Sequence, residues 1–282
     1  MGRNTKTVTI SLEETSALVM LWLQDGFYRQ PSARAYVEKL DLSAGRALHK
    51  ACNAVWPDYD TVINNRKTGI RQLALRHYRK QIILPGAGLD AMGLELAESL
   101  PDCHIYELDW AHMADKQQLI DCRNLSFIEA DIRDAAAMRA ALARAGWQSD
   151  QPSLLVLEGI SYYLAPAHLN RLVAILRPDC VLAEYLLPDS VLDAASRMIA
   201  EGVFTQIMGA GGYAGLSRYT AQSLAIVLDM ALADQWSMHR LEAMRLAAAP
   251  TQKACFQASG FGWVEVALFK PVGQAAARQA AQ

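Results

Sequence analysis

The spacing of apolar residues along the chain changes at about residue 80. Upstream of that point, apolar positions recur every three or four residues, which is the spacing of one buried helix face. Ser11 followed by Glu14 has the pattern of a capping box, and the first helix is predicted to run from there to about Gly26. Three further helices are predicted at Ser32–Leu40, Gly45–Val55 and Tyr59–Arg79. No strand is predicted before Gln81.

From Gln81 onward, short apolar runs alternate with helical patterns, which is typical of a parallel sheet with helices on its faces. The predicted strands are Gln81–Leu84, His104–Leu108, Leu125–Glu129, Ser153–Leu157 and Cys180–Tyr185. The predicted helices between them are Ala91–Ser99, Ala111–Asp121, Ala135–Ala145 and Pro166–Leu176. Later elements are predicted in the order of a helix after Pro188, the glycine-rich stretch Gly209–Gly215, a helix at Thr220–Leu232 and closing strands at Gln235–Ala243 and Gly262–Lys270.

This order of elements predicts an α/β fold with a Rossmann-like doubly wound sheet and an N-terminal helical cap. The cap is expected to comprise residues 1–80 and the core residues 81–272, with a cap insertion at about 189–218. The tail 273–282, rich in Ala and Gln, is expected to be flexible. The N-terminal helices either cover the sheet crevice or form a dimer, and the pattern favours neither.

Composition and charge argue against several classes of protein. The chain has 282 residues, 52% of them hydrophobic, and a net charge of -2 without a long basic run, so neither nucleic acid nor a membrane surface is an expected partner. The apolar run Ala17–Leu23 is far shorter than the ~20 residues that span a bilayer. It also lacks the features of an export signal, so a cytoplasmic location is predicted. Five scattered cysteines without a C-x-x-C motif predict reduced thiols and no metal site.

The segment QIILPGAGLD, Gln81–Asp90, has the pattern of a strand followed by a tight turn and a helix. Gly86 and Gly88 would let a ligand approach the backbone, because neither carries a Cβ atom. Together with Ala91 they satisfy the loose dinucleotide pattern G-x-G-x-x-A, which has little specificity alone. The turn therefore indicates a nucleotide-like ligand without identifying it.

An acidic residue stands at the end of each predicted parallel strand: Asp90, Asp109, Asp131, Glu158 and Glu184. Ligands of such sheets bind in the crevice at these carboxyl ends. Five carboxylates would repel a pyrophosphate but suit a cation with ribose hydroxyls, such as S-adenosylmethionine, which has a sulfonium, an ammonium and no phosphate. Helix capping is the alternative role for these acids. Asp109, however, lies 21 residues after Gly88, close to the ~20 expected of a ribose-binding acid.

Five segments together resemble the leucine carboxyl methyltransferase-like family. They are RKTGIRQL (Arg66–Leu73), GAGLD (Gly86–Asp90), YELDWAHMADKQQLI (Tyr106–Ile120), ADIRD (Ala130–Asp134) and EGISYYL (Glu158–Leu164). Members of this family are class I S-adenosylmethionine-dependent methyltransferases with a helical cap over a Rossmann-like sheet. The resemblance therefore implies the same fold and S-adenosylmethionine as the cofactor.

The resemblance also implies roles for residues around the methionine part of the cofactor. Arg66 matches the family arginine that binds the methionine carboxylate, for which its forked guanidinium is suited. Gly86 and Gly88 would pass close to the methionine part. Glu158 resembles the acid near the methionine ammonium.

The remaining implied contacts concern the adenosine part. Asp109 would accept hydrogen bonds from both ribose hydroxyls, and Asp131 would accept one from the adenine amino group, with the Ile132 N–H alongside. Two departures stand near the expected reactive carbon, because Ser161 and Tyr162 occupy positions that are usually apolar in relatives.

Three tyrosines, Tyr162, Tyr163 and Tyr185, are the predicted residues that shape the reaction site. The faces of aromatic rings attract cations by ~0.5–2 kcal/mol, which suits a sulfonium, although packing would also explain these residues. No histidine is flanked by a recognisable catalytic constellation.

The leading hypothesis is methyl transfer to a small-molecule acceptor, at oxygen, in secondary metabolism, by a protein that acts as a monomer or a homodimer. A second hypothesis is an S-adenosylmethionine cyclase, which forms azetidine-2-carboxylic acid and methylthioadenosine by intramolecular displacement. The third and fourth hypotheses are an NAD-dependent oxidoreductase and a non-catalytic ligand-binding protein.

Overall fold

The computed structural model describes residues 10–23, 26–211, 215–256 and 260–272. Its strands are β1 (Ile10–Ser11), β2 (Leu40–Asp41), β3 (Gln81–Pro85), β4 (His104–Asp109), β5 (Leu125–Glu129), β6 (Ser153–Leu157), β7 (Cys180–Leu186), β8 (Met230–Ser237) and β9 (Val264–Pro271). Its helices are α1 (Glu14–Leu21), α2 (Pro31–Val37), α3 (Arg46–Val55), α4 (Tyr59–His77), α5 (Met92–Ser99), α6 (Met113–Leu119), α7 (Ala135–Arg144), α8 (Pro166–Leu176), α9 (Ala194–Gly211), α10 (Ala221–Leu228) and α11 (Met238–Ala248).

The central sheet has seven strands in the order β5-β4-β3-β6-β7-β9-β8. Strands β3 to β7 are parallel, and β9 runs antiparallel to both of its neighbours. Strands β3, β6 and β7 are buried along their whole length, as expected for continuous apolar runs with helices on both faces. The strand order reverses between β3 and β6, so the crevice lies at their carboxyl ends. The predicted Rossmann-like doubly wound sheet is confirmed.

Two layers of apolar residues lie on opposite faces of this sheet. One contains Ile82, Leu154 and Leu182, and the other contains the neighbouring residues Ile83 and Leu155. Side chains alternate between the two faces of a strand, so neighbouring residues belong to different layers. Only the layer that contains Ile82, Leu154 and Leu182 also includes residues of the N-terminal segment that covers the sheet.

Among the described residues before Gln81, the helices α1 to α4 are accompanied by a small parallel sheet made by β1 and β2. The expectation that no strand precedes Gln81 is wrong, because two-residue strands are too short to produce an apolar period. The predicted capping box is also wrong: Ser11 lies in β1, and α1 follows Glu13 without a side-chain cap. Helices α1 and α3 pack against α9, so the N-terminal helices meet the helix predicted within the cap insertion.

The C-terminal elements correct two predicted boundaries. The helix predicted to reach Leu232 ends at Leu228, because Asp229 has a left-handed backbone with φ 54°. The strand predicted at Gln235–Ala243 ends at Ser237 and is followed by helix α11, which packs against α4.

Two of the predicted segments fall wholly or partly outside the described ranges. Residues 212–214 of the glycine-rich stretch and the tail 273–282 lie outside the described residues. Within the described ranges, no helix is long and apolar enough to cross a membrane. The five cysteines are free, and the described part of the chain has no group of three or more His, Cys, Asp or Glu side chains suited to a metal ion.

Candidate functional site

The turn after β3 requires glycine at two positions. Gly86 has φ 69° and Gly88 has φ 53°. Residues other than glycine rarely adopt this left-handed backbone conformation. A Cβ atom on Gly86 would also collide with the Cγ2 atom of Ile160, whereas Gly88 faces open space. Both glycines line a cavity at the carboxyl ends of the strands. The turn therefore brings backbone close to any ligand in that cavity.

Asp109, the last residue of β4, is fixed by backbone donors. The Gly88 N–H donates to its Oδ2 atom at 2.8 Å, and the Trp110 N–H donates to its Oδ1 atom at 2.7 Å. Burial raises the pKa of this carboxyl, against the lowering effect of these two N–H groups. Each carboxylate oxygen has a second lone pair, so Asp109 can still accept hydrogen bonds from two hydroxyls.

Arg66 on α4 forms a buried ion pair with Glu184 of β7, with 2.8 Å between Arg66 Nη1 and Glu184 Oε1. The hydroxyl of Tyr162 donates to the same carboxylate oxygen at 3.3 Å, and the Gly159 N–H donates to its Oε2 atom at 3.2 Å. Burial raises the pKa of Glu184, and Arg66 opposes that rise. Arg66 Nε is buried and has no hydrogen-bond partner among the described residues. Since Arg66 lines the cavity, an incoming carboxylate fits this donor set.

Lys67, the next residue of α4, binds two acids of the sheet. Its ammonium lies 2.5 Å from Glu158 Oε1 and also contacts Asp90 Oδ2. Asp90 additionally accepts a hydrogen bond from the Tyr28 hydroxyl at 2.5 Å. Burial acts to lower the pKa of Lys67, but the two carboxylates outweigh it and raise that pKa. The lysine is therefore a fixed cation between the two acids.

These ion pairs change the expected electrostatics of the crevice. Three of the five strand-end acids, Asp90, Glu158 and Glu184, are paired with Arg66 or Lys67, and Asp131 is paired with Arg133. In the described part of the chain, Asp109 alone among the five lacks a salt bridge. The expectation of five uncompensated negative charges is therefore wrong, and repulsion of a pyrophosphate is a weaker argument than the sequence suggested.

Asp131 and Ile132 line the outer part of the cavity, just after β5. Arg133 donates from Nε to Asp131 Oδ1 at 2.9 Å and from Nη2 to Oδ2 at 2.7 Å. This bidentate contact lowers the pKa of Asp131 to about 2. Asp131 is exposed at the rim of the cavity, and its carboxylate is hydrogen-bonded to the surface residue Arg133.

The three predicted tyrosines do not share one location. Tyr162 and Tyr163 line the cavity, with ring centroids 4.7 Å apart. Tyr185 does not line it: its hydroxyl donates to Glu265 Oε2 at 2.7 Å, and its ring packs in the apolar layer on the far face. Because Glu184 faces the cavity side, alternation along β7 turns Tyr185 away. Ser161 is also buried and donates to the Glu184 carbonyl.

The cavity has a volume of about 610 Å³ and is bounded by both parts of the chain. Its floor consists of the charged residues at the strand ends. Apolar side chains of the covering helices contribute the opposite side, among them Val19 of α1 and Phe204 and Ile207 of α9. A volume of this size is typical of a small-molecule site.

Sequence reasoning missed Lys67, although the segment Arg66–Leu73 that contains it was part of the family resemblance. The available signal was the run NNRKT, which occupies positions 64–68 in the middle of a helix. All five residues are buried, because apolar neighbours in the same helix, such as Ile63 and Ile70, pack into the core. Buried lysine is rare unless it is paired, so such a run indicates partners of opposite charge.

Comparisons with known proteins support the resemblance seen in the sequence. The leucine carboxyl methyltransferase family matches residues 38–176, just under half of the chain. The cofactor expected from that family, S-adenosylmethionine, is supported by this match. It also fits the hydrogen-bond donors of Arg66 and the acceptor oxygens of Asp109. None of the curated proteins matches the sequence significantly.

Solved structures show the same fold at low sequence identity. A proposed methyltransferase from Thermobifida fusca YX is 17% identical, with a TM-score of 0.62 over 88% of this chain and 96% of its own. A DUF574 family protein from Streptomyces avermitilis MA-4680 is 14% identical, with a TM-score of 0.63 over 92% and 97% of the two chains. An O-methyltransferase family protein from Burkholderia thailandensis is 13% identical, with a TM-score of 0.50 over 76% and 57%. These likenesses support a class I methyltransferase fold.

Proposed function

We propose that the protein transfers a methyl group from S-adenosylmethionine to a small molecule. The chain resembles the leucine carboxyl methyltransferase family and has a class I methyltransferase fold. The acceptor atom is an oxygen, and the pathway is one of secondary metabolism. The match to the family at residues 38–176 supports the cofactor. The acceptor is inferred from the chemistry of the cavity.

One observation carries this proposal: a cavity of about 610 Å³ has a charged floor and a cover in which apolar side chains outnumber the polar ones, Glu13, Thr15 and Ser16. The charged floor suits the cofactor. The apolar side chains of the cover, among them Val19 of α1 and Phe204 and Ile207 of α9, suit the apolar part of a small acceptor. A site with two such parts can hold two molecules side by side and exclude water from between them.

The residues of the floor have distinct roles in this proposal. Arg66 would bind the methionine carboxylate and Asp109 the ribose hydroxyls, while Glu158 would accept from the ammonium. Asp131 would accept from the adenine amino group, with Ile132 N–H beside it. The cofactor itself supplies an electrophilic methyl group on a sulfonium, which is a good leaving group.

Tyr162 and Tyr163 would shape the reaction site rather than accept a proton. Burial raises the pKa of Tyr162 well above its ordinary value, and Glu184 adds to that rise. Its phenol therefore stays neutral at physiological pH and is no general base. An acceptor that is already anionic, such as a carboxylate or phenolate, needs none. A neutral Tyr162 phenol therefore favours an acceptor with an acidic oxygen.

The test is incubation of the purified protein with S-adenosylmethionine and a panel of small carboxylic acids, phenols and alcohols. Release of S-adenosylhomocysteine only when an acceptor is present would support methyl transfer. Failure of every acceptor, together with calorimetry showing cofactor binding, would favour a non-catalytic ligand-binding protein. NADH binding in a fluorescence titration, without binding of S-adenosylmethionine, would favour an oxidoreductase.

A second candidate is the cyclisation of S-adenosylmethionine to azetidine-2-carboxylic acid, and Lys67 is the observation that favours it. The cofactor's own amine must be neutral to displace methylthioadenosine. A fixed ammonium 2.5 Å from Glu158 Oε1 disfavours a second cation beside that acid. Lys67 would thereby lower the pKa of an amine bound there and promote its neutral form.

Incubation with the cofactor alone separates the two candidates. Methylthioadenosine formed without any acceptor would support cyclisation, and a Lys67→Met variant should then need a higher pH for the same rate. If methylthioadenosine never exceeds the level in a control without enzyme, cyclisation is excluded.

A further inference from the structure

A second buried ion pair lies beneath the glycine turn and has no role in the proposed chemistry. Lys116 of α6 and Glu107 of β4 are both fully buried, with 2.6 Å between Lys116 Nζ and Glu107 Oε2. Both belong to the segment Tyr106–Ile120 that carries part of the family resemblance, but the resemblance implies no role for either. Replacing a buried ion pair by well-packed apolar residues is often neutral or stabilising, so stability alone does not explain this pair.

Lys116 also binds the backbone of the turn. Its ammonium donates to the carbonyl oxygen of Gly88 at 3.1 Å and to the carbonyl oxygen of Asp90. The ion pair with Glu107 places a negative charge beside the same ammonium. The C=O and N–H groups of one trans peptide point in opposite directions, so fixing the Gly88 carbonyl also fixes the direction of the Leu89 N–H.

Glu107 is held in turn from the other side. The Gly93 N–H, in the first turn of α5, donates to Glu107 Oε1 at 3.0 Å. A Cβ atom on Gly93 would collide with this same oxygen, so a glycine is required for the contact. Burial raises the pKa of Glu107, and the ammonium of Lys116 counteracts that rise. The pair thus connects β4, the turn and the start of α5.

We propose that Lys116 is a positioning residue for cofactor binding. It fixes the carbonyls of Gly88 and Asp90, so the turn keeps its ligand-binding conformation before a ligand arrives. Glu107 in turn keeps the ammonium in place. This inference rests on the proposed function only in that the ligand is S-adenosylmethionine or its demethylated product.

The test uses the double variant Lys116→Met with Glu107→Gln in the full-length protein. The variant removes both charges, keeps the side-chain sizes and leaves an acceptor for the Gly93 N–H. Calorimetry with S-adenosylhomocysteine should show binding weaker by about tenfold or more, while the thermal midpoint stays close to the original. Lys50→Met, a change at an exposed lysine of α3, is the control and should leave both values unchanged.

Hydrogen exchange of the ligand-free protein gives a readout that does not depend on the cofactor. Amides of residues 86–92 should exchange faster in the double variant than in the original protein, because the turn has lost its anchor. Should the double variant not fold, Gly93→Ala displaces Glu107 without touching Lys116, and the same two measurements are expected to change.

Three results would decide the matter differently. A folded variant that binds S-adenosylhomocysteine with the original affinity overturns the positioning role. Unchanged exchange in residues 86–92 overturns it as well. If the original protein binds neither S-adenosylmethionine nor its product, the proposed function fails, and the exchange measurement alone then decides whether Lys116 fixes the turn.

Discussion

The two sides of the cavity floor carry the same sequence signal but differ in chemistry. Beneath α4, Asp90, Glu158 and Glu184 are each paired with a buried cation of that helix. At the end of β4, Asp109 receives only backbone N–H groups at close range. The difference lies in the element that covers each side, since α4 brings cations over one side and none over the other.

This comparison separates two kinds of acid that look alike in a sequence. Acids under α4 belong to an ion-pair network that connects the helix to the sheet, so changes there should lower folding stability in addition to weakening the proposed cofactor contacts. Asp109 keeps its lone pairs for a ligand, so a change there should act on binding. Substitutions on the two sides should therefore give different kinds of loss.

The largest expected effect is on stability and comes from Arg66→Met. This change leaves the carboxylate of Glu184 buried and unpaired, which is expected to cost ~3–5 kcal/mol of unfolding free energy. Urea unfolding followed by circular dichroism measures it. The paired change Arg66→Met with Glu184→Gln should recover most of the lost unfolding free energy. The matched control is Arg46→Met, a change at an exposed arginine of α3. A single variant no less stable than that control would contradict the comparison.

Lys67→Met should cost about 3 kcal/mol at neutral pH, the lower end of the same range, because Asp90 and Glu158 keep some contact with water. Burial acts to raise the pKa of Asp90, but Lys67 outweighs it and lowers that pKa below 3.8. A lowered folded-state pKa gives stability that is present above pH 3.8 and is lost as the pH falls through the lowered value.

The measurement for Lys67→Met is therefore the thermal midpoint of both proteins between about pH 3 and pH 8. The difference between them should be full at neutral pH and should narrow below about pH 4. A difference that stays constant over this whole range would show that Lys67 acts through packing rather than charge.

Asp109→Asn should change binding more than folding. Loss of a charged acceptor for ribose hydroxyls is expected to weaken S-adenosylhomocysteine binding by about 2 kcal/mol, since hydrogen bonds to charged groups contribute ~1.5–3 kcal/mol. Isothermal calorimetry measures this, with the exposed Asp121→Asn as control. Unchanged affinity would remove Asp109 from the site.

The smallest expected effect comes from Arg133→Ala. Its side chain is exposed, so loss of the contact with Asp131 should leave the thermal midpoint unchanged. The pKa of Asp131 should rise from about 2 towards its ordinary value, because the hydrogen bonds from Arg133 are lost. An NMR titration of the Asp131 carboxyl carbon checks this. A large loss of stability would mean that the contact between Arg133 and Asp131 stabilises the folded protein as much as the ion pairs under α4 do.

The sequence was sufficient for the parallel part of the sheet. Leu125–Glu129 and Ser153–Leu157 have the predicted boundaries, because short segments rich in apolar residues between polar flanks mark a strand. The glycine turn and the acids at the strand ends followed from the same pattern. Predictions failed where local patterns were short or ambiguous, as in the two-residue strands and in the change from β8 to α11 at Met238.

The partners of the acids could not be predicted in the same way. A lysine in a helix is normally interpreted as exposed, and no local pattern shows that Lys67 and Lys116 point into the protein. Their burial depends on contacts over long sequence distances, such as the 91 residues between Lys67 and Glu158. Tyr185 illustrates the opposite error, because it was predicted to lie in the site and does not. It follows Glu184 in β7, so its side chain points to the other face of the sheet, away from the cavity.

Helix α4 supplies the countercharges for one acid in β7 and for two acids that follow β3 and β6, which limits how this segment can be exchanged between relatives. A chimaera that received the first 80 residues of another protein would inherit whatever charges that protein carries at positions 66 and 67. If those positions were neutral, three carboxylates of the recipient sheet would lose their partners at once. New specificities made by recombination would therefore succeed only when the helix and its acids are transferred together.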